Sequence, residues 1–188
     1  MVQPTRRGFL AFMAAAAVPQ GLGQFSSGPP PCDPSKTPTP AAPAGPDYKP
    51  DAPMRTWVID AGTTGTRVAI TGTLSGVTCG LIKGAVMEFW QADDKGVYDK
   101  TGFRLRGRQT TDANGAFHLD TIVPGAVGTH APVLHVRATP PGKKPFTTQL
   151  FFPDQPANKT DPDFKPELLM QAKAGTVKTA TFNILLDI

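Results

Sequence analysis

Val133-Leu134-His135-Val136-Arg137-Ala138 decides how this chain is read. Side chains of an extended strand point alternately to its two faces. Val133, His135 and Arg137 therefore share one face, and Leu134, Val136 and Ala138 the other. One unbroken apolar face opposite a face carrying an imidazole and a guanidinium is the pattern of a half-buried strand. The same period runs outward from it. Val86, Glu88 and Trp90 alternate with Met87, Phe89 and Gln91; Val68 and Ile70 alternate with Ala69 and Thr71. Phe117 and Leu119 oppose His118, which the alternation turns to solvent. Thr148, Leu150 and Phe152 alternate with Thr147, Gln149 and Phe151, and Ala180 to Leu186 reads as a last apolar strand. Thr111-Asp112-Ala113-Asn114-Gly115 is a turn, because Asn and Gly tolerate left-handed backbone angles. Only Asp163 to Ala172 offers a short helix, and Pro166 limits it. Many short strands joined by Gly/Pro turns predict an all-β fold, a β-sandwich of mostly antiparallel strands.

Composition agrees. A chain of 188 residues predicts one main domain. Hydrophobic residues at 39% exclude a wholly disordered chain, and no apolar run reaches the ~18 residues a membrane helix needs. With 19 glycines and 21 prolines, long helices are disfavoured. The net charge of +4 includes Arg6 and Arg7. Without them 17 basic side chains face 15 acids, a net +2, which gives no reason to expect a nucleic-acid partner. The chain shows no internal repeat, no phosphate-binding glycine loop and no heptad pattern.

Thr5-Arg6-Arg7-Gly8-Phe9-Leu10 reads as a twin-arginine export signal, followed by an Ala-rich apolar run to Val18. Residues 1–24 are thus expected to be a signal peptide, and the mature protein periplasmic or extracellular. Residues 25–53 form a proline-rich extended arm: ten of the 21 prolines lie between Gly28 and Pro53. Residues 54–188 form the sandwich. Cys32 in the arm and Cys79 in a turn are the only cysteines. An oxidising compartment permits a bridge between them, and two free thiols or a bridge between chains remain alternatives.

One segment carries more than fold. Lys83-Gly84-Ala85-Val86-Met87-Glu88-Phe89-Trp90-Gln91-Ala92-Asp93, followed by Gly96-Val97-Tyr98, resembles the signature of intradiol ring-cleavage dioxygenases. The resemblance continues through Phe103 to Gly107, Thr110-Thr111-Asp112 with Gly115, Thr121 to Gly125, Thr147 to Pro153, and Asn158 to Asp161. Upstream, Cys32 followed by Thr37-Pro38, Gly45-Pro46 with Tyr48, and then Cys79, is similar to the arm and cysteine pair of exported members. The resemblance implies Fe(III) as cofactor, a small aromatic diol of the catechol type as substrate, and insertion of both atoms of O2 with ring opening. Fe(III) is a hard ion, suited to anionic oxygen donors with imidazoles completing the set.

The family's iron is held by two tyrosines and two histidines. Tyr98 matches the first tyrosine, and His135 the second histidine of a His-x-His pair. The second tyrosine position is Val127, and the first histidine position is Val133. His130 stands where the family has an arginine, and Gln149 matches a glutamine beside the substrate. The resemblance therefore assigns Tyr98 and His135 as metal ligands and His130 and Gln149 as substrate-facing residues. Val127 and Val133 argue against normal activity, since neither offers a lone pair. His130 is the nearby group that could complete a Tyr98–His130–His135 site, with Pro132 breaking the strand between the histidines.

Plainer assignments exist for each of these residues. Tyr98 reads equally as a buried tyrosine with a hydrogen-bonded hydroxyl, His135 as a structural histidine, and Gln149 as a group satisfying backbone. Trp90 reads as core packing. Arg104, Arg106 and Arg108 alternate on one face, which reads as a solvated face before a grip on an anionic substrate. The alternative function is a non-catalytic exported binding module. Gly84-Ala85, Thr111-Asp112 with Gly115, and Pro124-Gly125 also resemble the carboxypeptidase regulatory-like sandwich, and a degenerate dioxygenase could still bind aromatics.

Overall fold

The computed structural model describes residues 37–45, 47–78, 80–173 and 178–188. The expected signal peptide, Cys32 and Cys79 lie outside the described residues. Among the described residues nine strands follow one another: β1 (Arg67–Gly76), β2 (Val86–Trp90), β3 (Arg106–Thr110), β4 (Ala116–Ile122), β5 (Val133–Thr139), β6 (Phe146–Phe151), β7 (Gln171–Lys173), β8 (Lys178–Thr181) and β9 (Ile184–Leu186). They make two sheets. One runs β4-β1-β8-β7, with β9 also beside β1; the other runs β3-β2-β5-β6. Pairing is antiparallel except where β8 and β9 run parallel to β1. The expected sandwich is what the chain forms.

The core lies between the sheets and follows the period-two pattern. Val68, Ile70 and Leu74 of β1 and Phe117 and Leu119 of β4 meet Met87 and Phe89 of β2, Leu134, Val136 and Ala138 of β5 and Leu150 of β6. Burying these side chains removes apolar surface from water, at roughly 25 cal/mol per Å². Segment 53–60 then covers one edge of each sheet. Met54 bridges to Arg108 of β3, and Trp57 bridges to Asp120 of β4. Gln109 links the same two edges, bonding both the N–H and the C=O of His118. Unpaired strand edges invite pairing with other chains, so this cover matters.

Two local expectations are corrected, and one about Trp90 is refined. The short helix expected over Asp163 to Ala172 is a single 3₁₀ turn, Pro166–Leu168, followed by β7. Pro166 starts the turn, and Leu169 already has extended backbone angles that end it. The run Ala180 to Leu186 is two strands, not one. They break at Phe182 and Asn183, where the Asn183 side-chain oxygen accepts from the N–H and hydroxyl of Thr73 in place of a backbone carbonyl. Trp90 is buried core packing, as expected. It belongs to a second apolar cluster with Ala92 and Tyr98 on the outer face of the β3-β2-β5-β6 sheet.

The described part of the proline-rich arm roofs that outer face. Thr39 N–H bonds Leu185 C=O and its hydroxyl accepts from Leu185 N–H, at 2.8 and 2.9 Å. Ala42 N–H bonds Thr147 C=O on the β6 edge, and the Thr148 hydroxyl bonds Pro40 C=O. Tyr48 then reaches over the sheet and donates to Glu88 at 2.9 Å, while Arg137 donates to both Tyr48 and Glu88. This half-buried triad pins the arm above β2 and β5.

Candidate functional site

The site grows from one cross-strand row. Register places Arg106 opposite Trp90, Trp90 opposite His135, and His135 opposite Gln149. All four side chains therefore leave the sheet on its arm-covered face. The Trp90 and His135 rings stack, and Tyr48 meets Trp90 edge-on at 5.0 Å. Arg106 corrects an expectation: it is no solvated residue but 1% exposed. It donates from Nη2 to the Asp99 carbonyl, at 3.0 Å.

Tyr98 is delivered by the loop after β2. Asp93 closes a tight turn, accepting from Lys95 and Val97 N–H on its side chain and from Gly96 N–H on its carbonyl. Gly96 has φ +77, and a Cβ there would run into Ala126 C=O. Gly125 N–H also bonds the Asp93 carbonyl, at 2.8 Å. The Asp93–Gly96 turn and the Pro124-Gly125 segment thus lock together, which sets Tyr98 beside Val127. Beyond it, Asp99 accepts backbone N–H bonds from Gly102, Arg104 and Thr101, which hold its carboxyl well below the usual carboxylate range.

The Tyr98 hydroxyl and His135 Nε2 meet at 2.8 Å, both buried. Burial raises the Tyr98 phenol to about 12, with the charge of Asp47 adding to the shift and Arg106 opposing it. Burial lowers His135 to about 4, reinforced by Arg106. Near neutrality both groups are uncharged. A neutral phenol donates, so Nε2 accepts and the imidazole proton sits on Nδ1, which is buried without a partner.

A pocket of about 130 Å³ opens over this pair. A dry cavity of about 150 Å³ holds one benzene, so the space suits a single aromatic ring. Tyr98, His130, His135 and Gln149, the four residues singled out from sequence, all line it. So do Val127 and Val133, with Pro43 and Gly45 of the arm as the roof. His130 closes a turn with Val127, their N–H and C=O groups bonded both ways at 3.0 Å. Its Nδ1 faces Asp161 and Asp163. His118 stays outside, exposed and paired with Asp120. Sequence reasoning named Gly45 and Asp161 only as part of the family resemblance, put Arg106 on a solvated face first, and passed over Asp163 as a site residue. The Asp161-Pro162-Asp163 spacing was the available signal for Asp163.

A family model described as dioxygenase matches residues 44–186, which includes every pocket residue after Pro43. The chain belongs to the intradiol ring-cleavage dioxygenase family. Members use Fe(III) and act on catechol-type substrates. Among solved structures, the dioxygenase domain of a dioxygenase carbohydrate-binding protein fusion from Streptomyces sp. SirexAA-E is 44% identical. That match covers 81% of this chain and 99% of that one, with a TM-score of 0.77. An intradiol ring-cleavage dioxygenase from Tetranychus urticae shares the fold at 22% identity, covering 81% of this chain and 95% of that one, with a TM-score of 0.73. So does the 3-chlorocatechol 1,2-dioxygenase of Rhodococcus opacus 1CP, at 23% identity, 79% and 72% coverage, and a TM-score of 0.71. The family model and the 44% identical domain place the sandwich among the dioxygenases. No helix among the described residues is long and apolar enough to cross a membrane.

Proposed function

We propose that this intradiol dioxygenase family member binds a catechol-type aromatic in the Tyr98 pocket and does not cleave it through the family's iron. The observation that carries this reading is the composition of the wall around the Tyr98–His135 pair. Val127 and Val133 line the pocket at the positions where the resemblance places a tyrosine and a histidine. Two hydrocarbon side chains supply no lone pair, and three or four protein ligands are the rule for a tightly held metal. The donors left at the four family positions are Tyr98 and His135, already bonded to each other. That set does not fit Fe(III).

What remains suits a ring with hydroxyls. Val127, Val133 and Ala92 offer apolar contact to its faces, and the Tyr98 hydroxyl, Gln149 and His130 offer polar groups to its edge. The Tyr98 hydroxyl keeps a lone pair to accept a ligand hydroxyl while it donates to His135. The arginine pair at Arg6-Arg7 supports export, so the aromatic would be met outside the cytoplasm.

The test uses the full chain treated with Fe(III) and then freed of unbound metal. No visible phenolate-to-iron band and no O2 uptake with catechol are expected, together with saturable catechol binding by calorimetry. Stoichiometric iron with catechol consumption overturns the proposal, and so does a protein that binds no catechol. The triple change Val127→Tyr, Val133→His and His130→Arg is expected to restore iron and ring cleavage.

A further inference from the structure

We propose that His130, Asp161 and Asp163 form a site for one first-row divalent cation, Zn2+ by its donor set, at the mouth of the pocket. His130 Nδ1 stands 3.4 Å from Asp161 Oδ1 and 3.6 Å from Asp163 Oδ2. All three donor atoms lie within 4.8 Å of one another. Charge-assisted hydrogen bonds are shorter, about 2.7–2.9 Å, so these separations waste the attraction. They match a shared ion better. Two donors each ~2.1 Å from a tetrahedral zinc stand about 3.4 Å apart.

The cluster is also held in place. The Asp161 side chain is buried, and its orientation is fixed by Ala131 N–H on Oδ2 at 2.6 Å and Asp163 N–H on Oδ1 at 2.8 Å. Outer hydrogen bonds of this kind orient metal ligands. His130 is fixed by its two-way bonded turn with Val127. Asp163 is 63% exposed and His130 half exposed, which gives an ion a route in. Two carboxylates balance the charge of a dication, and an imidazole with carboxylates favours zinc over calcium or magnesium. A separate observation points to a polar occupant of this pocket: His135, which lines it too, is 3% exposed and its Nδ1 has no partner. Three protein donors leave a coordination position for water or for a ligand oxygen. The site does not depend on whether the pocket takes an aromatic.

Metal-stripped, tag-free full chain titrated with Zn2+ by calorimetry should take one ion per chain. His130→Ala and Asp163→Asn should each weaken binding at least about tenfold, while His118→Ala, which removes the other exposed His–Asp pair, leaves it unchanged. Asp163 is exposed, so its substitution tests the site even if His130→Ala folds poorly. X-ray absorption should show a single imidazole with oxygen donors and no sulfur. Absence of one-to-one binding, an unchanged affinity in Asp163→Asn, a loss in His118→Ala, or sulfur ligation from Cys32 or Cys79 would each overturn the site. Catechol titrated in EDTA separates this outcome from the aromatic-binding proposal.

Discussion

Trp90 and His135, direct neighbours across β2 and β5, lie with ring centroids 5.2 Å apart and 13° from parallel. The imidazole is thus clamped between the indole plane and the Gly45 backbone of the arm, with its edge bonded to Tyr98. Trp90→Ala removes the largest fully buried side chain and one jaw of this clamp. A loss of about 3–5 kcal/mol is expected, read as a fall in the urea midpoint. Trp57→Ala, at a tryptophan 49% exposed, should cost far less. Equal losses would show that Trp90 is not the keystone of the outer-face cluster.

The same burial predicts acid lability. His135 drops from 6.5 to about 4 on folding, so below the unfolded value the unfolded chain binds a proton that the folded chain does not. Stability is therefore fully present above pH ~6.5 and is lost as pH falls through about 4, by roughly 3 kcal/mol from this group. Denaturation midpoints of wild type and His135→Gln, followed from pH 7 to pH 4, check this. The wild-type slope should shrink in the variant, and parallel curves would remove His135 as the cause.

Tyr98→Phe deletes the hydroxyl that satisfies His135 Nε2 and leaves a buried ring nitrogen without its partner. A cost of about 1–3 kcal/mol follows from that desolvated acceptor. Tyr98 is raised to about 12, and Tyr48, the other tyrosine, is also raised by burial and by its bond to Glu88. Ultraviolet titration of the folded protein should therefore show no phenolate step at the ordinary midpoint near ~10. A step there, lost in Tyr98→Phe, would place the phenol in contact with solvent.

Much of this was legible in the chain. Strict alternation in β1, β2, β4 and β5 assigned the core face residue by residue, because a sheet with one buried face tolerates no slip of register. It also put His135 and Arg137 on the shared outer face. Alternation does not say whether an outer face meets water. Arg106 reads as solvated until the arm is laid over it, and the arm's path depends on bonds such as Thr39 to Leu185, across 146 residues. The tie between Asp161 and His130 was hidden for a similar reason. The carboxylate's partners, Ala131 and His130, come from a turn some 30 residues earlier, and no local period links them.

Gly45 tests the roof itself. Its φ is +70, and a methyl added there would lie 2.5 Å from His135 Cε1 and 3.0 Å from both ring nitrogens. The imidazole has nowhere to go, since Trp90 lies against its face and Tyr98 holds Nε2. Gly45→Ala therefore pays twice, about 1–2 kcal/mol for the left-handed backbone and a further ~1–3 kcal/mol for overpacking. Gly142→Ala supplies the comparison: its φ is +69, and nothing lies within 4 Å of the added methyl. Only the backbone cost is expected there. The upstream ties at Thr39 and Ala42 survive in Gly45→Ala, so the arm should lift locally over the pocket and stay attached elsewhere. Catechol affinity should then fall about tenfold or more in Gly45→Ala and stay unchanged in Gly142→Ala, read by calorimetry, for roughly 1.4 kcal/mol of lost contact. If the two variants lose the same stability and bind alike, the arm is a loose cover and the pocket owes its shape to the sheet alone.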